Sequence, residues 1–512
     1  MKSGQLITAN ELTQNIDERF DVCVVGSGAG GSPVAKELAE AGYSVVLLEE
    51  GGYYTVKDFQ NTNTVDSLIN LYRDAGSTVL VGKPNIVYAE GRCVGGSTTI
   101  NGGMCWRTPD KILKRWKWER GLPDLTPERM ESFFKRVESI IGVNPISEIA
   151  RNNDSEILKR GAEKLGYKVK ANLRNQLDCV GANQCITGCP TGGKQPPLLT
   201  YIPAFLKAGG TLLANTRVKQ IHFSGGSVTG VTAHVIDPLT KKKKKNVRIH
   251  AKVVVTSCGA IQTPSLLMRS GYRDKAKLIG QNLFVHPNTK VIGVFEDPIY
   301  AWKGVNQAYQ ITEFIDEGII MAVNFVSPGI ASLAFPFYGH KLMNSIKDIY
   351  NHCVLGAALI EDTSRGRVRN LPFDQVLATY KLNQRDFDLA RRATALLAEV
   401  YFAAGAKKVI LPFTHLSEIH TVDEIRKIFS YPMSPIDIEL LTVHIMGTCQ
   451  MGANEDESVV DPFGETHRAR GLFVSDASVF PTSIGVNPQE TIMALATRTA
   501  FYIAENMSKY SG

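Results

Sequence analysis

The stretch DVCVVGSGAGGSPVAKELAEAGYSVVLLEEGG, residues 21–52, most constrains what this chain can fold into. Its valine-rich start predicts a short buried parallel strand over Asp21–Val25. Glycines follow at once at Gly26, Gly28 and Gly31, in the order G-x-G-x-x-G. A helix then reads through Val34, Leu38 and Ala41 and stops at Gly42; a second strand, Ser44–Leu48, closes on Glu49. Gly26 permits a tight turn out of the strand. Gly28, with Ala29 beside it, lets a diphosphate reach the backbone, and Gly31 lets the helix pack close to the sheet. The helix N-terminus offers unpaired N–H groups and partial positive charge to that diphosphate. Glu49 stands where an acid would hold the adenosine ribose hydroxyls, and it would repel the extra phosphate of NADP. Strand, glycine turn, helix, strand and acid in this order predict a dinucleotide site.

The 512 residues are enough for two or three domains with large cores, and 44% apolar with 21% charged residues describes a globular protein. The net charge of +7 is modest, and five of the positive charges sit in one run, Lys241–Lys245, which reads as a solvated hairpin turn. No basic stripe interleaved with aromatics accompanies it, so nucleic-acid binding is not expected. The opening MKSGQLITANELTQNIDERF lacks the apolar core of a signal peptide, and no apolar run reaches the length of a membrane span. A cytoplasmic protein with no integral membrane segment is expected.

Three further segments bear on the cofactor: EGRCVGGSTTINGG (Glu90–Gly103), SCGAIQTPSLLMRSG (Ser257–Gly271), and the block from HIMGTCQMG at His444 through GLFVSDASVFPTSIGVNPQETIMALA. In this order they resemble the glucose–methanol–choline (GMC) oxidoreductase family from about Asp21 to the last helix. GRCVGGST at 91–98 and GAIQTPSLLMRSG at 259–271 are similar to the two family signatures, and GQNLFVHP at 280–287 and FVSDAS at 473–478 to further landmarks. The resemblance implies FAD and oxidation of alcohols, sugars or sterols by hydride transfer to flavin N5. It implies that Val218 in NTRVKQI meets the adenine. Gly96, Ser97 and Asn101 would line the diphosphate, ribityl chain and flavin, and Asp476 and Ala477 the ribityl chain and diphosphate. No histidine for covalent attachment stands in the 90–103 loop, so the FAD is expected to be non-covalent.

His444 in HIMGT resembles the family's catalytic histidine. Asn487 in GVNPQ stands where relatives carry a second histidine or an asparagine. A histidine with pKa near neutrality can take the hydroxyl proton while the carbon gives up hydride. Asn487 cannot be a base, but it can orient the developing alkoxide. Pro488 is expected to start a helix whose dipole favours the anionic reduced flavin. His286, in VHP, reads as a structural hydrogen-bonding residue near the substrate side.

The expected fold is therefore α/β, with a Rossmann-like FAD-binding domain assembled from residues 15–110, 200–290 and 440–512. Residues 111–199 and 291–439 would form a second, α+β substrate domain on an antiparallel sheet. Apolar segments such as KVIGVFE and IIMAVNFV supply its strands, and Phe387–Ala406 a helix.

Six of the nine cysteines are scattered and read as buried thiols. The other three, Cys179, Cys185 and Cys189, fall in CVGANQCITGCPTGGK, residues 179–194, with spacing C-x5-C-x3-C-P. A disulfide, a zinc site, inert thiols and an iron–sulfur cluster all compete for them. A disulfide needs an oxidising compartment, zinc prefers four ligands, and ferredoxin ligand runs end in C-x3-C-P. The spacing also resembles that of bacterial FAD-dependent glucose dehydrogenases of the GMC family. That resemblance implies a 3Fe-4S cluster and an external electron acceptor or small electron-transfer subunit, and hence a dehydrogenase acting on a small alcohol or sugar. The competing readings are an oxygen-using alcohol or sterol oxidase with structural cysteines, a flavin-containing lyase, and an electron-transfer or binding subunit.

Overall fold

In a computed structural model, which describes residues 4–332 and 335–510, the valine run is the end of a longer strand, Ile16–Val25. Val22, Cys23 and Val24 are fully buried, because this strand has parallel neighbours on both sides, Val45–Leu48 and Lys243–Thr256. Each valine so buried contributes roughly 1.5–3 kcal/mol. The sheet order is Leu6–Ile7, Thr211–Leu213, Val45–Leu48, Ile16–Val25, Lys243–Thr256, Ser227–Ile236 and Thr216–Ser224. Lys243–Thr256 pairs along one edge with Ile16–Val25. Its other edge is shared by Ser227–Ile236, antiparallel, and Leu472–Val474, parallel. The lysine run lies at the start of this strand, after a turn held by the Asp237 carboxylate, which accepts the Leu239 and Thr240 N–H groups.

Register decides where the site lies. Val25 is paired with Leu48 and with Thr256, and Thr256 with Val474, so four strands end level. Gly26, Glu49, Ser257 and Ser475 therefore emerge together at the carboxyl edge of the sheet, where open parallel sheets bind ligands. The helix Gly31–Glu40 follows the first of these ends and packs against the C-terminal helix Gln489–Asn506.

A second, largely antiparallel sheet covers this edge. Its order is Arg367–Asn370, Val376–Lys381, Thr78–Lys83, Ile86–Tyr88, Leu440–Thr442, Asn288–Val294, Cys353–Ile360, Ile319–Val323, Tyr309–Ile311 and Val169–Ala171. The helix Gln384–Ala403 packs on it. Both apolar segments read as strands lie here, flanking Cys353–Ile360. Thr78–Lys83, Ile86–Tyr88 and Leu440–Thr442 also join this sheet, although they fall in stretches expected in the nucleotide domain. In Thr78–Lys83, Thr78 and Leu80 are buried while Val79 and Val81 are exposed, the alternation of a strand with one wet face. No helix among the described residues is long and apolar enough to cross a membrane.

The close approach of strand ends leaves no room for side chains. Gly26 has φ of +99°, and a Cβ there would lie 2.3 Å from the Ser257 carbonyl oxygen. Gly26→Ala is expected to cost about 2 kcal/mol or more, seen as a lower denaturation midpoint; an unchanged midpoint would contradict this packing.

Candidate active site

The level strand ends open on a cavity of about 300 Å³. It is lined by Gly26, Gly28, Ala29, Glu49, Gly96, Ser97, Asn101, Val218, Asp476, Ala477, His444, Asn487 and Pro488. Of the residues expected at the cofactor or in catalysis, Gly31 alone is absent from this lining. It packs behind the loop, where a Cβ would meet the Gly26 carbonyl oxygen at 1.8 Å. Gly28 and Gly96 face each other across two loops, and a Cβ on Gly96 would lie 2.9 Å from the Gly28 Cα. The Ser257 hydroxyl also lines the cavity and has no hydrogen-bond partner among the described residues. A glycine cradle, a helix N-terminus and an unpartnered buried hydroxyl fit a dinucleotide.

The two acids at these strand ends act as braces. Glu49 Oε2 accepts from the Ser27 N–H and hydroxyl at 3.0 and 2.6 Å, and Oε1 from the Gly51 N–H at 2.8 Å. Burial raises its carboxyl above the ordinary value despite these donors. Asp476 accepts from the Gly259 and Ser478 N–H groups and the Thr263 hydroxyl. Both thus hold backbone turns against the cavity as well as lining it. Ion-paired Glu50 and Arg73, with Arg217 beside Val218, also line the cavity. No motif in the sequence marked them.

His444 and Asn487 meet at the same cavity. His444 follows the strand Leu440–Thr442, and its N–H donates to the Thr442 hydroxyl at 3.1 Å. Its Nε2 lies 3.3 Å from the Asn487 carboxamide nitrogen, and its Nδ1 lies 3.3 Å from Nδ1 of His286. Burial pushes the His444 pKa down to about 4, well below the near-neutral value expected from the sequence, so the ring is uncharged at pH 7. His286 is wholly buried, and burial, followed by the like charge that a protonated His444 would set beside it, also holds it well below the histidine range. The sequence places these histidines 158 residues apart; the pairing of Asn288 with Leu441 in the second sheet brings them together.

Asn487 and Pro488 lead into the helix Gln489–Asn506, as the proline predicts. Gln489 ties that N-terminus to the glycine-rich loop: its side chain accepts from Asn101 Nδ2 at 2.7 Å and donates to the Met104 carbonyl at 3.0 Å. Glu490, buried beside Glu138, is held protonated by burial and by that neighbour.

Cys179, Cys185 and Cys189 line one small cavity with Arg174 and Lys194. Arg174 donates to Cys185 Sγ at 3.2 Å, and the Lys194 backbone N–H to Cys189 Sγ at 3.4 Å. Burial opposes ionisation of the Cys189 thiol, but hydrogen bonds from the Lys194 backbone and from Thr191 outweigh it and its pKa is lowered; burial raises that of Cys179. The thiols share a cavity without converging on one point. Among the described residues no group of three or more His, Cys, Asp or Glu side chains is placed to hold a metal ion. The 3Fe-4S cluster expected from the cysteine spacing therefore has no preformed set of ligands among the described residues. The Lys194 ammonium donates to the carbonyls of Thr99, Asn101 and Cys185 at 2.7, 2.9 and 2.6 Å, linking this loop to the cofactor cavity. Burial lowers its pKa to about 8.

Comparison with known proteins agrees with this architecture. Two GMC oxidoreductase family profiles match, the N-terminal one over residues 68–288 and the C-terminal one over residues 362–496. The chain is 34% identical to an uncharacterised GMC-type oxidoreductase of Mycobacterium tuberculosis over 94% of its length and 75% of that protein. It is 27% identical to a long-chain-alcohol oxidase of Arabidopsis thaliana, covering 96% of this chain and 69% of that one. Its fold is similar to the crystal structure of pyridoxine 4-oxidase from Mesorbium loti, with a TM-score of 0.72 at 19% identity over 94% of this chain and 98% of that one. The chain belongs to the GMC oxidoreductase family.

The depressed pKa of His444 has a consequence for stability. Between pH 6.5 and about 4 the unfolded chain binds a proton that the folded protein refuses, so stability falls as pH drops through that window. His444→Asn is expected to remove on the order of 3 kcal/mol of this loss between pH 7 and 4, measured by denaturant unfolding at each pH. Parallel stability curves for the two proteins would contradict a buried neutral imidazole.

Proposed function

We propose that this protein is an FAD-dependent oxidoreductase that oxidises an alcohol at its CH–OH carbon, with His444 and Asn487 holding the hydroxyl oxygen. The observation that carries this is the meeting of His444 Nε2 and the Asn487 carboxamide, 3.3 Å apart, in the wall of the glycine-cradled cavity. FAD, when bound, supplies the acceptor for the substrate's hydride. Gly26, Gly28 and Gly96 bring backbone to the diphosphate, and Glu49 and Val218 serve the adenosine half. The N-terminus of Gln489–Asn506 favours negative charge on the flavin ring. His444, uncharged, offers one N–H and one lone pair, and Asn487 orients the oxygen on which charge develops. An alcohol substrate is supported by the family and by the relative that carries the name long-chain-alcohol oxidase.

Anaerobic mixing of the holoenzyme with alcohols and sugars of graded chain length is expected to bleach the flavin. Failure across the series would overturn the reading in favour of a lyase or binding subunit. His444→Ala should slow bleaching by roughly 10²–10⁴-fold while FAD stays bound. A near-normal rate would remove His444 from the reaction.

A second reading, a dehydrogenase that passes electrons to an external acceptor, is favoured by the three thiols that share one small cavity, linked through Lys194 to the loop at the cofactor cavity. Anaerobically purified protein is then expected to contain iron and acid-labile sulfide and to give an EPR signal, with bleached flavin recovering slowly in air. Flavin bands without iron, and rapid recovery in air, would establish the oxidase instead.

A further inference from the structure

The buried pair His286–His444 has a direction, and the backbone sets it. His286 Nε2 faces two main-chain donors, the N–H of Ile484 at 3.2 Å and of Gly485 at 2.9 Å. A peptide N–H can only donate, so Nε2 must be the lone-pair nitrogen. Turning the ring over would set a C–H against both donors. A neutral His286 therefore carries its hydrogen on Nδ1, and that nitrogen lies 3.3 Å from Nδ1 of His444. The rings meet edge to face, 89° apart. The backbone beneath His286 is equally committed: Asp362 accepts the N–H groups of Val285 and His286 and the Tyr380 hydroxyl, and Asn288 donates to the His286 carbonyl. Asp362 and Tyr380 thus hold the main chain, and among the described residues the ring nitrogens have as partners each other, the Ile484 and Gly485 N–H groups and Asn487.

We propose that His286 is a positioning residue that sets the tautomer of His444, donating from its Nδ1–H to His444 Nδ1 so that His444 rests with its hydrogen on Nε2. That N–H points toward the Asn487 carboxamide at the cofactor cavity, and the carboxamide must then turn its oxygen, in place of its nitrogen, toward Nε2 to accept it. Resting His444 thus meets a substrate oxygen as a hydrogen-bond donor, which suits a hydroxyl offering its lone pairs and an oxygen gaining negative charge. Nε2 presents a lone pair only if the bond to His286 opens and the hydrogen of His444 moves to Nδ1. A doubly protonated His444 would set two N–H groups against each other across 3.3 Å, so His286 also opposes its charging.

Two isosteric variants separate this role from simple support. In His286→Asn the carboxamide nitrogen takes the place of Nδ1 and keeps the donor. In His286→Gln the carboxamide oxygen takes the place of Nε2, still accepts from Ile484 and Gly485, and leaves no donor toward His444. The acidic limb of the flavin-reduction pH profile is expected to stay in place in His286→Asn. In His286→Gln it should rise toward the ordinary histidine value by about one unit or more. Equal shifts in both variants would overturn the proposal. Long-range ¹H–¹⁵N correlation on ¹⁵N-histidine-labelled resting holoenzyme tests it without substrate, the His444 signals being assigned by their loss in His444→Asn. Hydrogen on His444 Nε2 and His286 Nδ1 is expected, and hydrogen on His444 Nδ1 would refute it. The tautomer can thus fail while alcohol oxidation stands, and the alcohol reading can fail while the tautomer stands.

Discussion

Four parallel strands stop at the same level, and their backbones then come closer than any side chain would allow. A Cβ on Gly26 would strike the Ser257 carbonyl oxygen, and one on Gly30 would lie 1.7 Å from that of Ser475. The rest of the site hangs on this contact. It presses the glycine turn, the acid after Val45–Leu48 and the turns at 257 and 475 into one edge, and the buried carboxylates of Glu49 and Asp476 hold that edge by accepting its N–H groups. Such carboxylates are tolerated because several donors surround each one.

The second sheet brings the chemistry to that edge. Asn288–Val294 and Leu440–Thr442 are adjacent antiparallel strands, so the residues just outside them, His286 and His444, must be neighbours. His286 is held with φ of +43° in a main chain pinned by Asp362. A non-glycine residue in that region is a local strain that surrounding structure has to maintain. Here the strain has a visible product, a buried imidazole aimed at His444 with its other nitrogen occupied by peptide N–H groups.

The cysteine loop is tied to the same edge by charge. Lys194 and Arg174 are buried, and carbonyl oxygens and the Cys185 sulfur receive their hydrogen bonds. Carbonyl dipoles stabilise a buried ammonium only if several converge, and three do so on Lys194. Because two of those carbonyls belong to Thr99 and Asn101, a change in the cysteine loop reaches the wall of the cofactor cavity through one side chain.

The sequence by itself determined the nucleotide half of this protein, because its signals are local. A valine strand, a spaced glycine turn, a helix with its stop at Gly42 and a proline-led C-terminal helix each follow from a few consecutive residues. It also named His444 and Asn487, through short motifs that resemble those of a family. Local signals could not say that Thr78–Tyr88 leaves the first sheet for the second, since both sheets accept an alternating strand. Nor could they say whether three cysteines spaced like cluster ligands converge. Tertiary structure alone decided that Cys185 and Cys189 face separate donors, that Glu49 is a brace, and that His286 lies against His444. These outcomes depend on strand register and on which N–H groups surround a buried atom, and no short run of consecutive residues encodes either.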